Sequence, residues 1–68
     1  MANGTVKWFN ATKGYGFIAP EDGGSDVFVH ITALQKAGIN ALAEGQRVSY
    51  ELETSRGKAA AGDLKIVD

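Results

Sequence analysis

Aromatic side chains are concentrated in the first part of the chain, where the first 20 residues are also locally positive, and together these features could bind flat, negatively charged molecules. Every aromatic residue except Tyr50 occurs within the first 28 positions. Residues 1–20 carry Lys7 and Lys13 and no acidic residue, although the whole chain has a formal charge of −1. Aromatic rings stack on nucleobases, and ammonium groups attract phosphates. These are the residue types of a surface that binds nucleic acid.

Two consecutive predicted strands place their rings on one face, because side chains alternate along a strand. In residues 15–19, Tyr15 and Phe17 point to one side and Ile18 to the other. Residues 26–31 have a natural core face of three aliphatic side chains: Val27, Val29 and Ile31. The opposite face carries Asp26, Phe28 and His30. If the strands pair, the rings form an exposed patch, which monomers rarely leave unused. The reverse assignment would bury Phe17 and Phe28 and expose the aliphatic residues.

The position of Trp8 is open at this level. Alternation in the first strand groups Trp8 with Val6 and Phe9 with Lys7, so Trp8 would be buried wherever Val6 is. A bulge between Val6 and Trp8 would reverse this and expose the indole. Both a core role and a surface role for Trp8 are compatible with the pattern.

Short strands must position these residues, because nine glycines and one proline divide the chain into short runs. Five antiparallel strands are predicted: residues 4–10, 15–19, 26–31, 47–53 and 59–67. In the last two, the inward side chains are Val48, Tyr50, Leu52, Leu64 and Ile66. Thr32 and Gln35 have capping-box spacing, and Gly38 can end a helix, which predicts one short helical turn. The fold class is therefore all-β, with an SH3-like or an OB-like barrel covering the strand edges.

The composition limits the protein to one small domain, residues 1–68. With no cysteine and a single histidine, we expect neither a disulfide framework nor a structural metal site, and we expect no cofactor. No apolar run is long enough to span a membrane, and the first residues lack the features of a signal peptide. We therefore expect a cytoplasmic protein.

Three segments resemble those of bacterial cold-shock proteins: KWFN (7–10), KGYGFI (13–18) and DVFVHI (26–31). The resemblance extends over essentially the whole chain. The second segment is similar to the RNP1 motif of that family, formed here by Lys13, Gly14, Tyr15, Gly16, Phe17 and Ile18. The third contains the counterpart of RNP2, formed by Val27, Phe28, Val29, His30 and Ile31. The resemblance implies a five-stranded antiparallel OB-fold barrel with one short helical turn between strands 3 and 4.

The resemblance also implies a set of binding residues. Base stacking is expected at Trp8, Phe17, Phe28 and His30, with Trp8 exposed. Tyr15 stands where the family has an aromatic residue, usually Phe, and Phe9 matches a further contact position. Polar contacts are expected from Lys7, Asn10, Lys13, Asp26 and Arg56. Two positions depart from the family pattern, because Ile31 and Ile39 stand where many members have an aromatic residue. Two stacking positions are therefore missing, and we expect weaker affinity than in fully aromatic relatives.

The implied function is binding of single-stranded RNA and DNA with low sequence specificity, without a small-molecule substrate or a membrane. We expect a monomeric RNA chaperone that destabilises RNA secondary structure without ATP. Roles in the cold-shock response and in regulation of transcription, by antitermination, or of translation would follow from melting RNA structure.

Other interpretations of the same residues are weaker. The main alternative is a protein-interaction barrel whose aromatic face binds a proline-rich peptide. A homodimer that buries the patch is a second. Gly14, Gly16 and Ala19 imitate a dinucleotide fingerprint, but a strand follows where the fingerprint needs a helix. Asp26 and His30 could form an acid/base pair, but no nucleophile is placed near them, so we do not expect an enzyme.

Overall fold

The computed structural model describes residues 2–55 and 57–67, excluding the side chains of Ser55 and Lys58. The elements, in chain order, are β1 (Ala2–Asn10), β2 (Tyr15–Pro20), β3 (Val27–His30), α1 (Ile31–Ala37), β4 (Arg47–Ser55) and β5 (Lys58–Ile66). All predicted strands are present, with boundaries that differ by one or two residues. No helix in the described ranges is long and apolar enough to cross a membrane.

The strands close into a barrel in the order β1-β2-β3-β5-β4. With a helix between β3 and β4, this is the OB-fold arrangement, which decides between the two barrels that the sequence left open. One detail differs from the expected all-antiparallel barrel, because β3 and β5 run parallel and pair at Phe28 and Ala60. A long connection through α1 and β4 separates these two strands, and parallel neighbours require such a crossover.

The barrel interior is filled by Tyr50 and by aliphatic side chains from every element, as strand alternation predicts for β2 and β3. Ile18 and Val29 are fully buried and Val27 nearly so. Among the described residues, the core comprises Val6, Ile18, Val27, Val29, Leu34, Leu42, Val48, Tyr50, Ala61 and Leu64. The reverse assignment of the rings to the interior is therefore wrong.

Two residues predicted to face inward do not. Leu52 is 55% exposed and Ile66 is 45% exposed. β1 flanks β4 only between Arg47 and Tyr50, so Leu52 lies beyond the barrel wall with β5 as its sole neighbouring strand. Ile66 lies near the end of β5, away from the contact with β3, and again only one strand flanks it. Because each residue has only one neighbouring strand, neither side chain faces the barrel interior.

The start of α1 also differs from the prediction. His30, not Thr32, is the N-cap: its backbone is extended, with φ −104° and ψ 153°, and its side chain accepts a hydrogen bond from the Thr32 amide. Ile31 is consequently the first helical residue and not the last inward residue of the third strand. Gly38 ends the helix as expected, with a left-handed φ of 75° that suits glycine.

Tyr50 is the largest fully buried side chain. Burial, and secondarily the negative charge of Asp22, raises the pKa of the Tyr50 phenol above its usual value. The neutral phenol is therefore the form that the folded barrel favours.

Candidate nucleic-acid interface

The strand register of β1, β2 and β3 brings five rings onto one outer face. Trp8 pairs with Phe17 across β1 and β2, Phe17 pairs with Phe28 across β2 and β3, and Tyr15 pairs with His30. We call this group the aromatic platform: Trp8, Tyr15, Phe17, Phe28 and His30. Directly opposed residues on one face of a sheet lie close enough for their side chains to touch. The pairing therefore makes a continuous surface from rings that are far apart in the sequence.

Ring contacts run through the whole platform. Trp8 packs edge-on against Phe17 and Tyr15, with centroids 5.4 and 5.6 Å apart. Phe28 lies 5.9 Å from both Phe17 and Tyr15 and is stacked on Tyr15, at an interplanar angle of 24°. His30 extends the row from Phe28 at 6.2 Å, tilted by 33°. Each ring holds its neighbour in place, so the platform is organised without a ligand.

A bulge in β1 determines whether Trp8 faces the core or the solvent, which the sequence pattern left undecided. The register with β2 shifts between Val6 and Trp8, so the side-chain alternation is reset there. Val6 is 1% exposed and faces the core, whereas Trp8 is 39% exposed and faces outward. The exposed position implied by the family pattern is confirmed, and the core role is wrong.

Gly16 allows β1 to approach β2 beside the platform. A Cβ at this position would collide with the Trp8 carbonyl oxygen and would lie 2.7 Å from the Phe9 Cα. Both atoms belong to the backbone of a paired strand, which cannot move aside as a flexible side chain could. The absence of a side chain at Gly16 therefore permits the close approach that sets Trp8 beside Phe17.

A tight turn links the platform to α1. The Gly14 amide donates to the Asn10 carbonyl at 2.7 Å, and the Ile31 amide donates to the Gly14 carbonyl at 2.9 Å. The Asn10 side-chain oxygen accepts from the Lys13 amide at 3.0 Å. Asn10, predicted as a nucleic-acid contact, thus has an evident structural role in shaping this turn.

Two of the charged groups beside the platform, Lys7 and Asp26, are paired with each other. The Lys7 ammonium lies 3.1 Å from the Asp26 carboxylate and links β1 to the loop before β3. Both side chains are about half exposed, and such surface pairs contribute little net free energy. Lys13 is exposed on the turn and forms no ion pair within the described ranges. Among the described residues, Lys7 and Lys13 are therefore the cations next to the platform, and Lys7 is already paired with Asp26.

The remaining predicted residues lie around the platform. Phe9 is half-buried and packs against the core, so it is not part of the ring row. Ile39 also packs against the core. Ile31 lies beside Gly14, at the start of α1. The predicted contact at Arg56 lies outside the described residues.

A groove along the platform adds residues that the sequence did not indicate. Its volume is about 840 Å³, and its lining comprises Phe17, Ser25, Asp26, Phe28, Gly57, Ala59 and Ala60. Ala59 and Ala60 reach it because β5 closes the barrel beside β3. Small, uncharged residues carry no local signal of a site, so only the strand order reveals them. Ala60 leaves space beside Phe28 where a large side chain would stand.

Comparison with known proteins agrees with this geometry. Residues 2–67 match the family described as the 'Cold-shock' DNA-binding domain. The chain is 60% identical over 67 residues to a probable cold shock protein of Sinorhizobium fredii, covering 96% of this chain and 97% of the relative. It is 54% identical to the cold shock protein CspA of Rhizobium meliloti, with the same coverage.

A third relative is the cold shock-like protein CspE of Escherichia coli, which is 58% identical over 64 residues, 93% of each chain. The family match spans almost all of the chain, and these relatives are aligned along nearly their full lengths. The chain therefore belongs to the cold-shock DNA-binding domain family, whose members bind nucleic acid and are not enzymes.

Proposed function

We propose that this protein binds single-stranded RNA and DNA by stacking unpaired bases on the aromatic platform. The observation that carries the proposal is the unbroken row of five exposed or half-exposed rings on the outer face of β1, β2 and β3. Flat rings with accessible faces are the recurring device by which OB-folds hold single strands.

Stacking supplies most of the affinity in this proposal. Each base stacked on an aromatic side chain contributes about 1 to 3 kcal/mol, so three or four bases give roughly 3 to 12 kcal/mol before ordering costs. Lys7 and Lys13 add a smaller, salt-dependent contribution, since Lys7 is already paired with Asp26. Affinity should therefore fall only gently as salt concentration rises.

The same mechanism favours single strands over duplexes and gives little sequence preference. Every base has a stacking face, so the platform accepts all four. Bases in a duplex are already stacked within it and are not available to the platform. Polar contacts from Lys7, Asn10, Lys13, Asp26 and Arg56 would add modest preferences.

An RNA chaperone is the activity that follows from these properties. By capturing transiently unpaired RNA and releasing it without ATP, the protein would bias RNA against refolding in the cytoplasm. Melting of RNA secondary structure would in turn support translation and would antiterminate transcription, including during the cold-shock response. With Ile31 and Ile39 at two positions that are aromatic in many members, binding would be weaker than in fully aromatic relatives.

Intrinsic fluorescence of Trp8 tests the proposal directly, because it is the only tryptophan in the chain. We expect strong quenching by a single-stranded pyrimidine oligonucleotide and a mixed RNA, little quenching by a duplex, and a shallow dependence on salt. A proline-rich PxxP peptide serves as the competing ligand. Quenching by the peptide and not by single strands, with the domain shown to be folded, would overturn the proposal.

A further inference from the structure

His30 has two roles that meet in one ring. Its face continues the aromatic platform beyond Phe28, and one of its nitrogens caps helix α1. The Thr32 amide donates to His30 Nδ1 at 3.2 Å, and the Thr32 hydroxyl lies 3.1 Å from the same nitrogen. The side chain is exposed, yet these contacts hold it at a defined position on the edge of the binding face.

The cap determines where the neutral ring carries its proton. A backbone amide can only donate, so Nδ1 must be the unprotonated, accepting nitrogen of the imidazole. The proton of the neutral ring is then on Nε2. Within the described ranges, both hydrogen bonds of the ring are at Nδ1. Within that part of the chain, the Nε2–H group is thus left as a donor without a protein acceptor.

We propose that His30 is a hydrogen-bond donor to the bound strand, with its tautomer set by the helix cap. This inference rests on the proposed function and places a hydrogen-bond donor at the edge of the platform. The Nε2–H group would bind an oxygen acceptor of single-stranded nucleic acid, either a phosphate oxygen or a base carbonyl, and would disfavour an exocyclic amino group. The ring would both stack on a base and orient the strand.

Two features of the structure favour a directional contact over a purely stacking ring. The Nδ1 bond to the Thr32 amide restrains the ring edge, while the contact with Phe28 at 6.2 Å restrains its plane. A donor that is held before binding loses little rotational freedom when it meets its acceptor. Tyr15, which opposes His30 across the strands, is also a platform ring, so the acceptor would lie at the edge of a stacked base.

Nitrogen NMR of the imidazole tests the tautomer in the unaltered protein, because His30 is the only histidine. At about pH 8, where a histidine side chain is normally neutral, we expect the spectrum of a ring protonated at Nε2. Addition of a single-stranded oligonucleotide should shift the Nε2–H resonance downfield and slow its exchange with solvent. A ring protonated at Nδ1, or an Nε2–H that does not respond to a saturating oligonucleotide, would overturn the inference.

His30→Phe provides a second measurement, because it keeps an aromatic face and removes the donor. We expect roughly a 3- to 10-fold loss of affinity, the size expected for one hydrogen bond. Thermal unfolding of the variant identifies the temperatures at which it is folded, since the cap is lost as well. Unchanged affinity of the folded variant would contradict the donor role.

The acceptor is identified by changing the oligonucleotide. One series replaces single phosphodiester linkages by methylphosphonates, and another uses bases that lack one carbonyl oxygen. The oligonucleotide substitution that makes the affinities of the wild type and His30→Phe equal identifies the oxygen that accepts the Nε2–H bond. If Trp8 is quenched by single strands but no substitution abolishes the difference, the donor role fails and the proposed function stands. If Trp8 is not quenched at all, the proposed function fails first.

Discussion

Two regions of this small barrel expose apolar side chains, and they differ in how those side chains are arranged. On β1, β2 and β3, five rings touch one another across the strands. On the β4–β5 pair, Leu52 and Ile66 are exposed outside the ring row, and exposed acidic residues such as Glu51 and Glu53 accompany them.

Exposure alone therefore does not distinguish a binding surface from an ordinary one. Isolated exposed aliphatic residues are normal on soluble proteins. Mutual contact between rings marks the first region, together with backbone features that produce it, namely the bulge before Trp8 and the missing side chain at Gly16. Of the four comparisons below, the first three test whether this contrast is functional, and the fourth tests the core beneath both regions.

The largest expected effect is on stability, because the backbones of paired strands pack more tightly at Gly16 beside the platform than at Gly62 on β5. Gly16→Ala would force a Cβ into the backbone of β1, and we expect a loss of about 3 kcal/mol in the free energy of unfolding. Gly62→Ala on β5 is the matched control, because the atoms nearest to its Cβ would be the carboxylate end of the Glu53 side chain. That end can move, so a loss below about 1 kcal/mol is expected. Urea unfolding measures both, and equal losses would contradict the role given to Gly16.

Removing one surface side chain from each region, the half-buried Phe28 or the exposed Leu52, compares their contributions to binding. Phe28→Ala removes the ring that contacts Phe17, Tyr15 and His30, and we expect a loss of about 2 kcal/mol in binding free energy. Leu52→Ala removes an exposed aliphatic side chain from β4 and should leave binding unchanged. Quenching of Trp8 by an oligonucleotide measures both affinities. Similar losses in the two variants would mean that the ring row is not the binding surface.

A smaller effect is expected from breaking either of the two ion pairs that the described residues form. Asp26→Asn releases Lys7, which can then neutralise a phosphate, so the slope of log K against log salt should steepen by up to about 0.7. Glu21→Gln releases Arg47 from a pair at 3.7 Å outside the platform and should leave the slope unchanged. Affinity itself should change by less than about 1 kcal/mol in either variant. If the slope of log K against log salt steepened in Glu21→Gln alone, the cation that contacts phosphate would be Arg47 and not Lys7.

The smallest effect concerns the core that supports both regions. Folding raises the pKa of the Tyr50 phenol, so its contribution to stability is complete below the unfolded value of about 10. That contribution is lost as the pH rises through the folded pKa. Denaturation of the wild type and of Tyr50→Phe between neutral pH and pH above about 10 checks this. The wild type should lose more stability over that range, and parallel curves would show that Tyr50 does not titrate with unfolding.

Much of the interface could be predicted from local patterns. Alternation in β2 and β3 correctly placed Tyr15, Phe17 and Phe28 opposite the core residues Ile18 and Val29. The helix stop at Gly38 was also correct, because a left-handed residue after a helix is a local requirement. The prediction failed where strands end or lose a neighbour, as at Leu52 and Ile66, and where β3 gives way to α1 at His30.

The sequence by itself determined which side chains of β2 and β3 share a face, because the two-residue period of a strand depends only on its own backbone. Only the tertiary structure decided that Trp8 faces outward, since the bulge in β1 exists in relation to the register of β2. The same holds for Ala60, which borders the groove because closure of the barrel sets β5 beside β3. Pairing between distant strands is a property of the closed barrel, and no local pattern contains it.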